Sequence, residues 1–273
     1  MSENKPVIIL PFWETIRRSF SYILTNFNAL VKASAAWFVL LLAFDMVTNF
    51  PSLCSLNAAI CNGGWAQNVS LVALTVSAIA VIISYIRHIV LHTDNSGYWN
   101  LNFGKRELRY IGAAFVFMFI IAVPSFIYGF VAGFIGAVMG MDKIIFTQIF
   151  FLGLLVMLIF CARFYLVFPA VALDNREVGF KKSFSMTKGN TNKIFWGQMV
   201  IMLPVFAALL ILSVLFRAIG SDSYVVKMLF AFLMLSVSFL DAGLKAAYFA
   251  HIYQYFMYFA QKQEEKISEA VPE

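Results

Sequence analysis

Long apolar runs alternate with short basic connections along this chain. A hydrocarbon layer of about 30 Å takes roughly 20 helical residues at 1.5 Å each, and six runs reach that length. Strand-like alternation is absent, and open sheet edges cannot be hydrogen-bonded in lipid, so helices are predicted. The predicted spans are residues 29–50, 69–90, 110–138, 144–168, 194–216 and 225–245, the last continuing as an aromatic helix to 259.

This pattern predicts an all-α polytopic membrane bundle of six transmembrane helices. It forms a single integral membrane domain over residues 1–260, and residues 261–273 form a polar cytoplasmic tail. Composition agrees, because the chain is 62% hydrophobic and 12% charged, whereas about a quarter of a soluble chain is charged. A soluble enzyme and a disordered chain are therefore excluded. The apolar run Val7 to Leu10 is too short for a signal peptide, so the first span is expected in the mature protein.

The basic residues predict the orientation of the bundle. Seventeen of the 20 lysines and arginines border span ends on one side, while Lys143, Arg217 and Lys227 border the other. By the positive-inside rule, both termini are expected to be cytoplasmic. Insertion explains the basic clusters, so anionic lipids are the expected partners and nucleic acid is not.

A first amphipathic helix is predicted over residues 11–27, with Pro11 at its first position. Arg17 and Arg18 lie beside an apolar stripe, which favours a place in the cytoplasmic interface. Packing of this helix on the bundle is the alternative. The stripe consists of Trp13, Ile16, Phe20, Ile23, Leu24 and Phe27.

A second interfacial helix is predicted over residues 175–188. Asp174 and Glu177 have capping-box spacing, and Gly189 with Asn190 supplies a stop and a cap for the fifth span. One face is aromatic and its margin is basic, the composition of an interfacial element. Those residues are Phe180, Phe184, Lys181, Lys182 and Lys188.

The two amphipathic elements resemble each other in sequence. Residues 17–21 match 181–185 at an offset of 164, and the Tyr85, His88, Ile89 set matches Tyr248, His251, Ile252 at an offset of 163. We therefore predict a parallel internal repeat in which spans one and two correspond to spans five and six. Chance similarity between membrane segments rich in serine and phenylalanine is the other interpretation.

Spans three and four would then be an insertion between the two halves. Span three carries small residues four positions apart, which permit close approach of a neighbouring helix. These residues are Gly129, Gly133, Gly136 and Gly140. A helix-packing role is expected for them.

Ionisable residues are scarce inside the predicted spans. Asp241 is the deepest carboxylate, and Lys245 follows it at i+4, so an intramembrane ion pair is predicted. A coupled carrier would place a carboxylate or an unwound helix near the middle of the bilayer, and the sequence shows neither clearly.

No motif for catalysis or cofactor binding is present. His88 and His92 are spaced to share a helical face, and Asp94 follows, but no third ligand stands at a telling distance, so no metal and no cofactor are expected. Cys161 should be buried. Cys54 and Cys61 fall in a predicted outer loop, where they either form a disulfide or remain free.

The stretch from Arg163 to Ala170, followed by Lys182, Ser183, Thr187, Gly189 and Asn190, resembles the YciC-like proteins. It is also similar to the membrane domain attached to some glycerophosphoryl diester phosphodiesterases. The resemblance covers some 30 residues and implies a six-helix bacterial inner-membrane protein. It implies no phosphodiesterase activity, because the 14 residues after Phe259 leave no room for a catalytic barrel.

These observations favour a non-enzymatic module that organises the membrane or binds lipids or protein partners. A transporter or lipid-handling permease is the alternative. The residues expected to bind lipid phosphate are Arg17, Arg18, Arg163, Lys181 and Lys182. Arg163 has a second possible role, in which it holds the Pro169–Ala170 segment and the carbonyl end of a helix.

Overall fold

The structure is a computed structural model that describes residues 9–49, 65–92, 101, 103–140, 142–219 and 223–270. Every regular element in these ranges is helical, which confirms the all-α prediction. The elements are α1 (Phe12–Thr25), α2 (Phe27–Asn49), α3 (Trp65–Leu91), α4 (Lys105–Val138), α5 (Lys143–Cys161), a 3₁₀ turn (Ala162–Phe164), α6 (Val167–Ala172), α7 (Phe180–Met186), α8 (Thr191–Ile219) and α9 (Tyr224–Ala270).

Six helical stretches in the described ranges are long and apolar enough to cross a membrane. They correspond to α2, α3, α4, the α5 to α6 segment, α8 and α9, so the six-span prediction is confirmed. The fourth stretch is broken by the 3₁₀ turn that follows Cys161. The Cys161 side chain is buried, as predicted. The sixth continues as helix to Ala270, so the tail predicted after residue 260 is helical over most of its length.

The core is formed where α3 packs on α9, with α2 against both and α8 against α9. Tyr85, Tyr248 and Phe256 are among the largest fully buried side chains. The Tyr248 hydroxyl donates to the Ile194 carbonyl of α8 at 2.9 Å. A Cβ atom at Gly197 would lie 2.0 Å from that hydroxyl, so the glycine provides the space in which the phenol ring packs.

The α4–α5 hairpin repeats this arrangement away from the core. The Tyr128 hydroxyl donates to the Ile149 carbonyl at 2.7 Å, and a Cβ atom at Gly153 would lie 2.1 Å from the Tyr128 ring. Large apolar side chains such as Phe126 and Phe130 are exposed along the hairpin, as expected where lipid replaces a protein neighbour.

The four glycines predicted to pack helices divide into two pairs. At Gly129 and Gly136 a Cβ atom would lie 3.2 and 3.0 Å from phenylalanine rings of α5. A Cβ atom at Gly133 would have no neighbour within 4 Å. Gly140 has φ +59°, so it serves the turn that ends α4. The sequence pattern overestimated the packing role because small residues also serve turns and lipid-facing positions.

The first amphipathic helix is packed on the bundle, the alternative left open by its sequence. Ile16, Ser19 and Ile23 are buried, and α1 contacts α9, α8 and α2. Trp13 and Leu24 are 71% and 80% exposed, so only part of the predicted stripe faces the protein. Pro11 precedes the first helical residue and does not occupy it.

The second amphipathic helix is shorter than predicted, and its capping box is absent. Its first residue is Phe180, because Asp174 has φ +58° and binds arginines elsewhere. The Glu177 N–H is instead bonded to the Asn175 side chain at 2.9 Å. The predicted stop is present, since Gly189 has φ +82°.

The two halves of the predicted repeat agree at some positions and differ at others. Helices α2 and α8 begin at residues 27 and 191, separated by the predicted offset, and both Tyr85 and Tyr248 are buried. The preceding helices differ, since α1 packs on the bundle core and α7 packs on the 3₁₀ turn. The repeat therefore remains a prediction. Cys54, Cys61 and Asp94 lie outside the described residues.

We expect Gly197→Ala to destabilise the protein by about 1–3 kcal/mol, the usual range for overpacking a filled core. The added methyl group would displace Tyr248, which is 1% exposed and hydrogen-bonded, so it cannot turn aside without losing that bond. The measurement is the thermal unfolding midpoint of the purified protein in detergent. Gly133→Ala is the matched control, and equal midpoints for the two variants would contradict the prediction.

Candidate functional site

One end of the bundle gathers most of the described charged side chains, and we call it the basic end. It comprises α1, α6, α7, the last turn of α3, and the first turns of α4 and α8. Leu10 ties it together, because its N–H donates to Asn190 Oδ1 at 2.7 Å and its carbonyl accepts from Lys193 Nζ at 2.9 Å. The Asn190 side chain predicted to cap the fifth span thus binds the chain ahead of α1.

Arg163 fixes α7 to the 3₁₀ turn. Its Nη2 donates to the Phe184 carbonyl at 2.7 Å, and its guanidinium carbon lies 3.4 Å from the centre of the Phe184 ring. Its own carbonyl accepts from Ser183 Oγ at 2.7 Å and Thr187 Oγ1 at 3.0 Å. These contacts join Arg163, Ser183, Phe184 and Thr187 in one structural unit. Arg163 holds the carbonyl end of a helix, as expected, and that helix is α7.

Lys181 and Lys182 border a shallow depression beside α7 with a volume of about 490 Å³. Lys182 Nζ lies 3.5 Å from Glu177 Oε2, so part of its charge is compensated. Lys181 has no ion pair among the described residues. The remaining lining residues are Arg176, Gly179 and Ser185.

Arg17 and Arg18 lie on the exposed face of α1. Arg18 pairs with Glu14 one turn earlier, whereas Arg17 has no ion pair within the part of the chain that the structure describes. The five residues predicted to bind phosphate are thus distributed as two on α1, two at the depression and Arg163 beneath α7.

The strongest cluster of charges was missed by sequence reasoning. Asp174, in the turn after α6, accepts from Arg106 Nε at 2.8 Å and lies 3.1 Å from Arg109 Nη1 and 3.7 Å from Arg87 Nη1. Arg87 also donates to the Ala172 carbonyl at 3.4 Å. The cluster joins α3, α4 and the turn. No short-range pattern indicates it, because the arginines and Asp174 lie 65 or more positions apart in the sequence.

The arginines hold Asp174 ionised. Burial alone would raise the pKa of this carboxyl group. The hydrogen bond from Arg106 and the charges of Arg106, Arg109 and Arg87 outweigh that effect and hold the pKa below its ordinary value.

The histidine pair does not form the face that its spacing predicted. Helix α3 ends at Leu91, and His92 has φ +51°, so the two imidazoles do not follow one helical turn. The His88 ring stacks on Tyr85 with centroids 6.2 Å apart. No group of three or more histidine, cysteine or acidic side chains that could hold a metal occurs within the described ranges.

A second cavity lies among the membrane-spanning helices, as a cleft of about 310 Å³ between α3, α8 and α9. Asp241 borders it, and its Oδ2 accepts from Lys245 Nζ, the pairing that their spacing predicted. Its Oδ1 is buried and has no hydrogen-bond partner among the residues that the structure describes. Thr75 and Ser238 add hydroxyl groups to the lining. No sequence pattern predicted a cleft beside this carboxylate.

Comparisons with protein-family models, curated proteins and solved structures found no match to this chain. The similarity to YciC-like proteins therefore remains a prediction.

We expect the contribution of Asp174 to stability to depend on pH. Because its folded-state pKa is depressed, that contribution is complete above the unfolded-state value of about 3.9 and is lost as pH falls through the lower folded-state value. The unfolding midpoints of the parent and Asp174→Asn should differ by a constant amount above about pH 5 and converge below about pH 4. A difference that persists unchanged under acid conditions would contradict this assignment.

Proposed function

We propose that this chain is a non-enzymatic integral membrane protein of a bacterial inner membrane that binds anionic lipids at its basic end. Both termini are cytoplasmic in this proposal. By holding anionic lipids around the bundle, the protein organises the surrounding membrane or presents a charged surface to a protein partner.

The depression beside α7 is the observation that carries the proposal. Arg176, Lys181 and Lys182 face it with a single carboxylate, Glu177, so positive charge is in excess. Lysine ammonium groups bind phosphate as point charges, and each basic residue near an anionic surface contributes about 1 kcal/mol. On α1, the exposed Trp13 lies near Arg17, the pairing of apolar and cationic groups that interfacial helices use.

We expect the combined change of Arg17, Arg18, Lys181 and Lys182 to Gln to weaken anionic-lipid retention by about 1 kcal/mol per charge, or roughly fivefold each. The loss should be greater for Lys181 and Arg17, since Lys182 and Arg18 are already ion-paired. The measurement is the amount of phosphatidylglycerol retained per protein after detergent washing.

Arg217→Gln with Lys227→Gln is the control, because it removes positive charge near the end of α8 and the start of α9, away from the basic end, and retention is compared per charge removed. Retention that falls equally in the control and the basic-end variant would indicate a general charge effect. Retention unchanged in the basic-end variant would refute the proposal.

The cleft at Asp241 favours a second candidate function, a transporter or lipid-handling permease. A carboxylate beside a cavity among spanning helices is the arrangement that substrate pathways use. In proteoliposomes, Asp241→Asn should abolish solute or lipid movement, while Thr147→Ala, on a helix away from the cleft, should preserve it. Absence of movement across a broad panel of solutes and lipids would exclude this candidate.

A further inference from the structure

We infer that Arg106 and Arg109, held in place by Asp174, form a binding site for one phosphate group. An anionic lipid headgroup is one source of that group, and free phosphate is another. The inference deepens the proposed function and rests on it for the lipid source, but the site is separate from the α7 depression.

The balance of charge at this cluster leaves room for an anion. Three guanidinium groups, from Arg87, Arg106 and Arg109, face the Asp174 carboxylate. Among the described residues, Glu107 is the other acidic group that acts on Arg87, and its Oε2 accepts from the Gly104 N–H at 2.7 Å. The three arginines and two carboxylates of this described cluster leave one positive charge uncompensated.

The two α4 arginines keep donors available. Each guanidinium has five N–H groups in a planar fork. Arg106 uses Nε for Asp174, and Arg109 uses one terminal nitrogen, and neither has a further partner among the described residues. Their side chains are 33% and 47% exposed, so the remaining donors can be reached. Such donors bind phosphate oxygens in pairs.

The location favours a lipid as the source of the phosphate. Arg106 and Arg109 lie one turn apart at the start of α4, where its long apolar stretch begins. Leu108 and Phe103 beside them are 58% and 44% exposed. A lipid offers both a phosphate for the arginines and an acyl chain for this apolar surface, whereas free phosphate offers only the first.

Asp174 positions the arginines. Its carboxylate also neutralises part of their positive charge, so less of that charge is left for a phosphate group to neutralise. Its carboxylate spans Arg109 through Oδ1 and Arg106 through Oδ2. Without it, three like charges would repel one another with Glu107 as the remaining counter-charge, and the single negative charge of a bound lipid phosphate would offset part of that excess. Asp174→Asn should therefore lower stability and increase the stabilisation that an anionic lipid provides.

The test compares the full-length protein in nanodiscs of phosphatidylcholine alone, of phosphatidylcholine with phosphatidylglycerol, and of phosphatidylcholine with added inorganic phosphate. Phosphatidylglycerol should raise the unfolding midpoint of the parent. Arg106→Gln with Arg109→Gln should lose a large part of that increase, and Lys181→Gln with Lys182→Gln should lose a separate part through the α7 depression. Arg217→Gln with Lys227→Gln removes two charges outside both sites and should keep the increase. Asp174→Asn should show a lower midpoint in phosphatidylcholine and a larger increase than the parent.

The arms of the experiment separate the sources and the two sites. An increase from inorganic phosphate that also requires Arg106 and Arg109 would support the site with a soluble ligand. An equal phosphatidylglycerol effect in the parent and the Arg106, Arg109 double variant would overturn the inference. Loss confined to the Lys181, Lys182 variant would overturn it as well while supporting the proposed function. If the glutamine variant does not fold, Arg106→Lys with Arg109→Lys preserves both charges and should retain a reduced increase.

Discussion

Helices in lipid gain little by burying apolar surface against one another, because acyl chains are equally apolar. The bundle therefore depends on contacts that a lipid cannot imitate. The Tyr248 hydroxyl packs over Gly197 and donates to a carbonyl of α8, and the Tyr128 hydroxyl packs over Gly153 and donates to a carbonyl of α5. Each contact combines close backbone approach with a hydrogen bond made away from water.

At the basic end, hydrogen bonds and ion pairs connect the helices and turns. Arg163 binds the carbonyl end of α7, Asn190 and Lys193 bind the chain ahead of α1, and Asp174 binds three arginines. These contacts hold short segments in place: α7, the residues ahead of α1, and the turn after α6. Arg106 and Arg109, which bind Asp174, are also the residues proposed to bind a phosphate group, so that proposal assigns the same side chains to the fold and to a ligand.

The sequence predicted the membrane-spanning helices well, because hydrophobic length is a local property and lipid excludes the alternatives. It was less reliable where a residue has two physically reasonable uses. Asp174 and Glu177 had the spacing of a capping box, yet arginines from α3 and α4 provide a stronger interaction for Asp174.

Long-range geometry explains the other differences. The spacing of His88 and His92 holds only inside a helix, and α3 ends between them. The Asp241 cleft depends on how α3, α8 and α9 diverge, which no hydropathy pattern reports. The role of Arg163 was predicted in part. Its sequence context indicated that it binds the carbonyl end of a helix, but only the structure identifies that helix as α7.

Helix α9 has one further consequence for the shape of the molecule. Its 47 residues extend about 70 Å, more than twice the roughly 30 Å thickness of the hydrocarbon layer. From Phe256, the last large core side chain, it continues for about 21 Å to Ala270. A continuous helix resists bending over that distance, so the helix holds residue 270 at a fixed axial distance from the buried side chain of Phe256.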